Sequence, residues 1–215
     1  MTADPENKRL VVMDVDSTFI QQEVVDLLAE YAGVGDQVAE ITAQAMAGGL
    51  DFAASLRARV ALLAGLSEQT LAKVRAALTL TPGAAELVDA LQTRGDDVAL
   101  VSGGFEVVIA PLADRLGIKY VRANHLQITD GHLTGQVAGQ IIDRSAKAAA
   151  LREFAAQSGV AIANTVAVGD GANDIDMVQS AGLGIAFNAK PALKQVAEAQ
   201  INTPSLLAVL PLMER

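Results

Sequence analysis

VVMDVDSTFI (residues 11–20) drives an apolar run straight into two acids, Asp14 and Asp16. Residues 10–13 read as a short strand buried on both faces, because such strands are continuously apolar rather than alternating. Two carboxylates at its tip repel each other, and a divalent cation among them is what makes the arrangement tolerable.

Downstream the rhythm changes. From 21 to 79 the spacing is helical and no strand is expected. Val24, Leu27, Leu28 and Tyr31 form one stripe, Val38 and Ile41 another, and Phe52, Leu56 and Leu63 a third, with Gly33, Gly48, Gly49 and Gly65 between the pieces. After that block, helices and strands alternate. Thr81-Pro82 starts a helix and Gly95 stops it, DVALV (97–101) is a strand, and a helix runs to Gly117. A short strand near 118–121 and a hairpin around Asp130-Gly131 follow. Ser145 is placed as the cap of a helix ending near Gly159, and TVAVG (165–169) and GLGIAF (182–187) are further strands. Alternation of this kind gives an α/β fold with a Rossmann-like parallel sheet. The expected organisation is a core of 1–20 and 80–215, with 21–79 inserted after the first strand as a small helical-bundle cap.

Composition narrows the function. The 215 residues suit one sizeable domain or a core with an insertion, and 51% are hydrophobic, enough for a real core. A net charge of −9 argues against nucleic acid or an anionic membrane as partner, yet leaves room for a small anionic substrate beside a metal. With no cysteine, disulfides, thiolate metal sites and a cysteine nucleophile are excluded. The polar start MTADPENKRL lacks an apolar leader segment and no stretch is long enough to span a bilayer, so the expectation is a cytoplasmic protein, monomeric or homodimeric.

In parallel sheets ligands bind beyond the carboxyl ends of the strands. Here those ends carry Asp14 and Asp16, then Ser102-Gly103-Gly104, then Asp170-Gly171-Ala172-Asn173-Asp174, while Lys147 lies near the start of the helix preceding the last of these strands. Singly these are bland: D-x-D is a common turn or cap, SGG a common loop, GDGAND an Asx-rich turn. Gly103 and Gly104 before a helix, however, offer N–H groups to an anion. Lys147 in a first helical turn is opposed by the helix dipole, which hints at an anionic neighbour. Oxygen ligands without Cys or a nearby His favour Mg²⁺ over zinc, and Mg²⁺ in such sites works with phosphate.

DVDST, SGG after a strand, a lysine and GDGANDIDM together resemble the four motifs of the haloacid dehalogenase-like phosphatases. The likeness runs from about residue 10 to 200, through QQEVVDLLAE, TPGAAELVDAL, ANHLQITDGHLTG and IAFNAKP. Some members of the family carry an additional N-terminal regulatory domain, and the expectation from the length of this chain is that it has no room for one. The resemblance implies that Asp14 is the nucleophile forming an aspartyl-phosphate, and that Asp16 protonates the leaving oxygen and then activates water. It further implies Mg²⁺ on Asp14, the backbone carbonyl of Asp16 and Asp170, with Asp174 supporting from behind. Ser102 and the Gly103 amide would hold phosphoryl oxygens, Lys147 would neutralise charge, Asn173 would hydrogen-bond the transferring group, and Thr18 would help position Asp14.

Within that family the helical block resembles members acting on O-phospho-L-serine. Arg59 falls inside the Phe52–Leu56–Leu63 stripe, whereas Arg57 lies off it, and an inward guanidinium needs an anionic partner such as a carboxylate. Glu23 reads either as a first-turn acid favoured by the dipole or, by resemblance, as the ligand of the substrate ammonium. Met46 and Phe52 are core residues first and an apolar lid second. His125, His132, the Asp96-Asp97 turn and Asp176 are assigned to the surface. Two rivals are a phosphatase or phosphotransferase of the same family acting on another small ester, and a receiver-like phosphoacceptor module, which lacks a helical insert. Dinucleotide and P-loop signatures are absent.

Overall fold

Strands β1 (Leu10–Met13), β2 (Asp97–Phe105), β3 (Tyr120–Thr129), β4 (His132–Ala138), β5 (Thr165–Gly169), β6 (Leu183–Phe187) and β7 (Ala199–Ile201) form one sheet in the order β4-β3-β2-β1-β5-β6-β7. Neighbours run parallel except β3 and β4, which make an antiparallel hairpin. This computed structural model describes residues 8–214 apart from Ala47 and the side chain of Met46, so the polar opening stretch and the Met46 expectation lie outside the described residues.

Strand periodicity sorts the core into two layers. Val11 and Met13 face one cluster, which holds α5 (Ala84–Thr93) and α6 (Glu106–Arg115) through Leu87, Leu91, Val108 and Leu112. Leu10 and Val12 face the other, with Leu151 and Phe154 of α7 (Arg144–Ser158) and Met177 of α8 (Ile175–Ser180). Helices therefore cover both faces of the sheet, the α/β architecture expected.

Between β1 and β2 lie α1 (Val24–Ala32), α2 (Gly35–Met46), α3 (Phe52–Ala61) and α4 (Glu68–Ala77), and no strand occurs there among the described residues. The two chain crossings run side by side. Ile20 and Leu80 form an isolated antiparallel bridge, Gln21 N–H donates to Thr79 O (2.9 Å) and Thr81 N–H to Phe19 O (3.0 Å). A third attachment joins the α3–α4 turn to the β3–β4 hairpin: Gly65 N–H donates to Leu133 O (2.8 Å), Leu133 N–H to Leu66 O (2.9 Å) and Glu68 N–H to Gly131 O (2.8 Å).

Several local expectations are corrected. Asp143, not Ser145, caps α7: its carboxylate accepts from Ala146 N–H at 2.9 Å, and Ser145 Oγ donates to that same carboxylate. Ser102-Gly103-Gly104 belongs to β2 itself rather than to a loop after it, and the short strand near 118–121 extends to Thr129. Helix α3 stops at Ala61, so Leu63 packs in the core from the following turn. Tyr31 is 46% exposed, and the buried stripe of α1 is Val24, Val25, Leu28 and Ala29. Asp96 is buried rather than solvated, because its carboxylate accepts from Arg9 N–H (2.9 Å) and pairs with Arg94 (3.5 Å).

Candidate active site

Register brings the acids together. Met13 is level with Leu100 on β2 and Val168 on β5, so Asp14 leaves the sheet one residue beyond that row, and Ser102 and Asp170 two beyond it. Asp14 N–H still donates to Val168 O (2.9 Å), which holds the nucleophile candidate against β5.

Lys147 joins them from α7. Its side chain is buried, with Nζ 2.7 Å from Asp14 Oδ1 and 2.7 Å from Asp174 Oδ1. The other oxygen of Asp174 accepts from the amides of Asp170 (3.2 Å) and Gly171 (3.0 Å), so both its oxygens are engaged. Gly169 permits this, since a Cβ there would lie 2.5 Å from the Asp174 carboxyl carbon. One oxygen each of Asp14, Asp170 and Asp174 falls within 4.8 Å of the others, a cluster of hard donors that fits a divalent cation. Asp14 and Asp170 have capacity to spare, while Asp174 braces the cluster from behind. Asp16 contributes no side-chain oxygen to it.

Asp14, Asp16, Asp170 and Asp174 outnumber the cations beside them, Lys147 and Lys190, and the proton affinities show the excess. Burial, then the charge of Asp174, pushes Asp14 well above the usual carboxylate range, against the pull of Lys147. Burial and then Glu23 raise Asp16 to about 7, and burial and then Asp174 raise Asp170 to about 6. Burial works against the charge of Lys147, but Asp14 and Asp174 outweigh it and hold the ammonium above the ordinary lysine range. A cation would relieve all three acids at once.

These groups open on a cavity of about 110 Å³ lined by Asp14, Asp16, Glu23, Arg59, Gly103, Asp170 and Asn173, with Val25, Phe52, Leu56, Gly104 and Lys190 completing the wall. Ser102 and Lys147 do not line it, because both are fully buried. Nor are both glycine amides free: Gly104 N–H donates to Ser102 Oγ at 2.7 Å. Thr18 makes no hydrogen bond to Asp14, its hydroxyl is buried without a partner, and its carbonyl accepts from Thr81 Oγ1 (2.6 Å). The loop is held, but not as expected. Asp16 is held from the helical block, accepting Val24 N–H at 3.2 Å.

Helix α3 adds Arg59, Phe52 and Leu56 to the cavity wall, while Arg57 is exposed and does not line it. Arg59 Nε donates to Ser55 O (3.3 Å), and no ion pair of Arg59 is formed among the described residues. Its guanidinium affinity is lowered by burial, against Asp26 and Glu23. Glu23 is the N-cap residue of α1 rather than a first-turn acid, and its carboxylate makes no capping bond. Phe52 both packs on the core and faces the cavity. His125, His132 and Asp176 stay outside, in contact with Glu106, Asp130 O and Arg144 respectively. Lys190 escaped the sequence reading. It follows β6 at the same sheet edge, its N–H donates to Asp170 O (2.8 Å), and its ammonium lies 3.9 Å from the Asp170 carboxylate. Extending the strand-end rule to β6 would have flagged it.

Residues 11–179 match the model of the haloacid dehalogenase-like hydrolases, and the chain belongs to that family of enzymes. It is 55% identical to a phosphoserine phosphatase of Streptomyces coelicolor, covering 96% of this chain but 50% of the relative, and 51% identical to one of Streptococcus thermophilus, covering 97% of each. A solved structure described as a phospho-aspartyl intermediate analogue of phosphoserine phosphatase superposes with a TM-score of 0.90 at 43% identity, over 96% of this chain and 99% of that one. Within the class, the chain belongs to the phosphoserine phosphatases, hydrolases of phosphoric monoesters.

Proposed function

We propose that this chain hydrolyses O-phospho-L-serine to L-serine and inorganic phosphate in the cytoplasm, through a phosphoenzyme on Asp14, with Mg²⁺ as its resident cation. The observation that carries the reading is that one small cavity holds both an acid, Glu23, and a cation, Arg59, beside the strand-end carboxylates. Arg59 has no ion-pair partner among the described residues. A drug-sized pocket spans about 300–1,000 Å³. A cavity of about 110 Å³ suits a small ester instead.

The substrate phosphate enters between Asp14 and the end of β2. The Gly103 amide, in the cavity wall, donates to a phosphoryl oxygen, and Ser102 Oγ, buried behind it, accepts from Gly104 N–H and holds the strand end that presents that amide. Asn173, also in the wall, donates to the phosphate. Asp14, the Asp16 carbonyl and Asp170 would hold Mg²⁺, which would supply positive charge to the phosphoryl oxygens. Asp14 attacks phosphorus in line. The P–O(seryl) bond breaks, and Asp16, whose burial favours the protonated form, gives its proton to the departing oxygen. Asp16, now a carboxylate, takes a proton from the water that attacks the aspartyl-phosphate, and phosphate leaves with Asp14 restored. Lys147 fixes Asp14 and offsets its charge throughout.

Specificity comes from the helical block, which we assign as a cap of residues 21–79 on a core of 1–20 and 80–215. Glu23 takes the substrate ammonium, and Arg59 takes the carboxylate bidentately. Its closure excludes water and strengthens both contacts.

The test is phosphate release from O-phospho-L-serine, with and without Mg²⁺, by wild type, Asp14→Asn and Arg59→Ala. Asp14→Asn is expected to be inactive, Arg59→Ala to lose selectivity over sugar phosphates, and chelation to abolish turnover. Equal rates for all three proteins, or equal rates on phosphoserine and sugar phosphates, would overturn the reading.

A further inference from the structure

We infer that Ser17 is a positioning residue for Glu23 and, through it, sets the preference for an ester that carries an ammonium group; this rests on the function proposed above. Ser17 Oγ donates to Glu23 Oε1 at 2.7 Å. Glu23 occupies the N-cap place of α1, yet its carboxylate does not cap the helix. One of its oxygens is turned back to Ser17 instead. A carboxylate has about four acceptor positions, so that bond leaves the other oxygen for a ligand.

The backbone of Ser17 adds an independent observation. Its φ of 57° and ψ of 5° place a non-glycine residue in the left-handed region, one of three such residues among those described. That conformation is strained for an L-residue, and glycine would adopt it freely. Asp130 and Asn188, the other two, are side-chain types that tolerate this region. Serine is not in that group, so at Ser17 the hydroxyl is retained where the backbone would favour glycine.

Two further bonds stitch the same segments together. Ser17 N–H donates to Gln22 O (3.3 Å), and Val24 N–H donates to Asp16 Oδ1 (3.2 Å). Glu23 is thus held through its own side chain and through the backbone on either side of it, and only the first of these holds needs the Ser17 hydroxyl. Without the hydroxyl, the exposed Glu23 has its χ angles free and must be immobilised by the substrate itself.

The experiment measures kcat and KM for O-phospho-L-serine, and for 3-(phosphonooxy)propanoate, the same skeleton without the amino group. The proteins are wild type, Ser17→Ala, Ser17→Gly, Glu23→Gln and the Ser17→Ala/Glu23→Gln pair, all loaded with Mg²⁺. Ser17→Ala and Ser17→Gly are each expected to lower kcat/KM for phosphoserine about 3- to 10-fold, mainly through KM, as for a charge-assisted hydrogen bond shared with water. The amino-free ester should be unaffected. In the Glu23→Gln background, Ser17→Ala should add nothing further. Ser17→Gly keeps the turn unstrained, so it separates the hydroxyl from the backbone. Wild-type selectivity in Ser17→Gly, equal losses on both esters, or losses that add to those of Glu23→Gln would each overturn the assignment. Wild-type selectivity in Glu23→Gln itself would instead overturn the reading of Glu23 on which it stands.

Discussion

Lys147 Nζ lies 2.7 Å from Asp174 Oδ1, and neither side chain is more than 1% exposed. The contact ties the middle of the molecule together, since α7 supplies the cation and the turn after β5 the anion. Asp174 also satisfies two backbone amides. Replacing it by Ala leaves a buried ammonium with one partner and two amides with none. We expect Asp174→Ala to lower stability by about 3–5 kcal/mol, the cost of breaking a buried pair from one side. Urea unfolding of wild type and variant checks this; a loss below about 1 kcal/mol would mean that the pair contributes little.

A second expectation concerns Gly104. A Cβ there would come within 2.7 Å of Asp16 Oδ2 and 3.0 Å of Ser102 Oγ. Gly104→Ala must move the proton donor, the Ser102 hydroxyl, or both. The expected result is a fall in kcat of about 10²-fold or more, the contribution of a positioned acid–base group, in a protein that still folds. Steady-state kinetics with a circular dichroism spectrum decides it.

The elevated acids make a third prediction, about pH. Asp16 and Asp170 bind protons more tightly in the folded chain than in the unfolded one. From about pH 4, where the unfolded carboxyls ionise, up to about 6 for Asp170 and 7 for Asp16, the folded state therefore holds protons that the unfolded state has released, so stability falls with rising pH across that window and levels off above it. The metal-free protein should melt at a lower temperature at pH 8 than at pH 5. Asp16→Asn, which can still accept from Val24, should flatten that slope. Calorimetry on chelated protein measures both, and a slope that is unchanged in Asp16→Asn would remove Asp16 as its source.

A fourth follows from the third attachment of the helical block. If the block closes over substrate, the β3–β4 hairpin must move with it, because Leu133 and Gly131 are bonded to Gly65, Leu66 and Glu68. Hydrogen exchange at 129–133 should therefore slow together with that of the α3–α4 turn when Mg²⁺ and a phosphate analogue bind. Slowing in the turn alone would show that the hairpin is only a neighbour.

How far the sequence could be read depended on what each residue faces. Asp14, Asp170 and Lys147 stood out because polar groups followed apolar runs at strand ends, or sat where a helix dipole opposed them. Arg59 stood out because its position fell on an apolar stripe. Pattern fails where two residues could do one job: Asp143 and Ser145 both make good caps, and only the Ala146 amide chooses between them. It fails for Asp96, whose burial depends on Arg9, 87 positions away. It fails for Ser102–Gly104 because a strand that continues through Ser-Gly-Gly has no apolar signature, and for Lys190 because a lysine after a strand is ordinary until its neighbour is known to be Asp170.

The bridge between Ile20 and Leu80 has a consequence for how such an enzyme can change. The block leaves and re-enters the sheet through one doorway, so chain closure there is settled before any of the intervening residues is chosen. Loop-closure entropy grows only logarithmically with length, and a longer, shorter or different module would burden the core little. Phosphoryl chemistry and the choice of ester can therefore diverge separately, the first kept by the sheet edge and the second exchanged like a fitting in a socket.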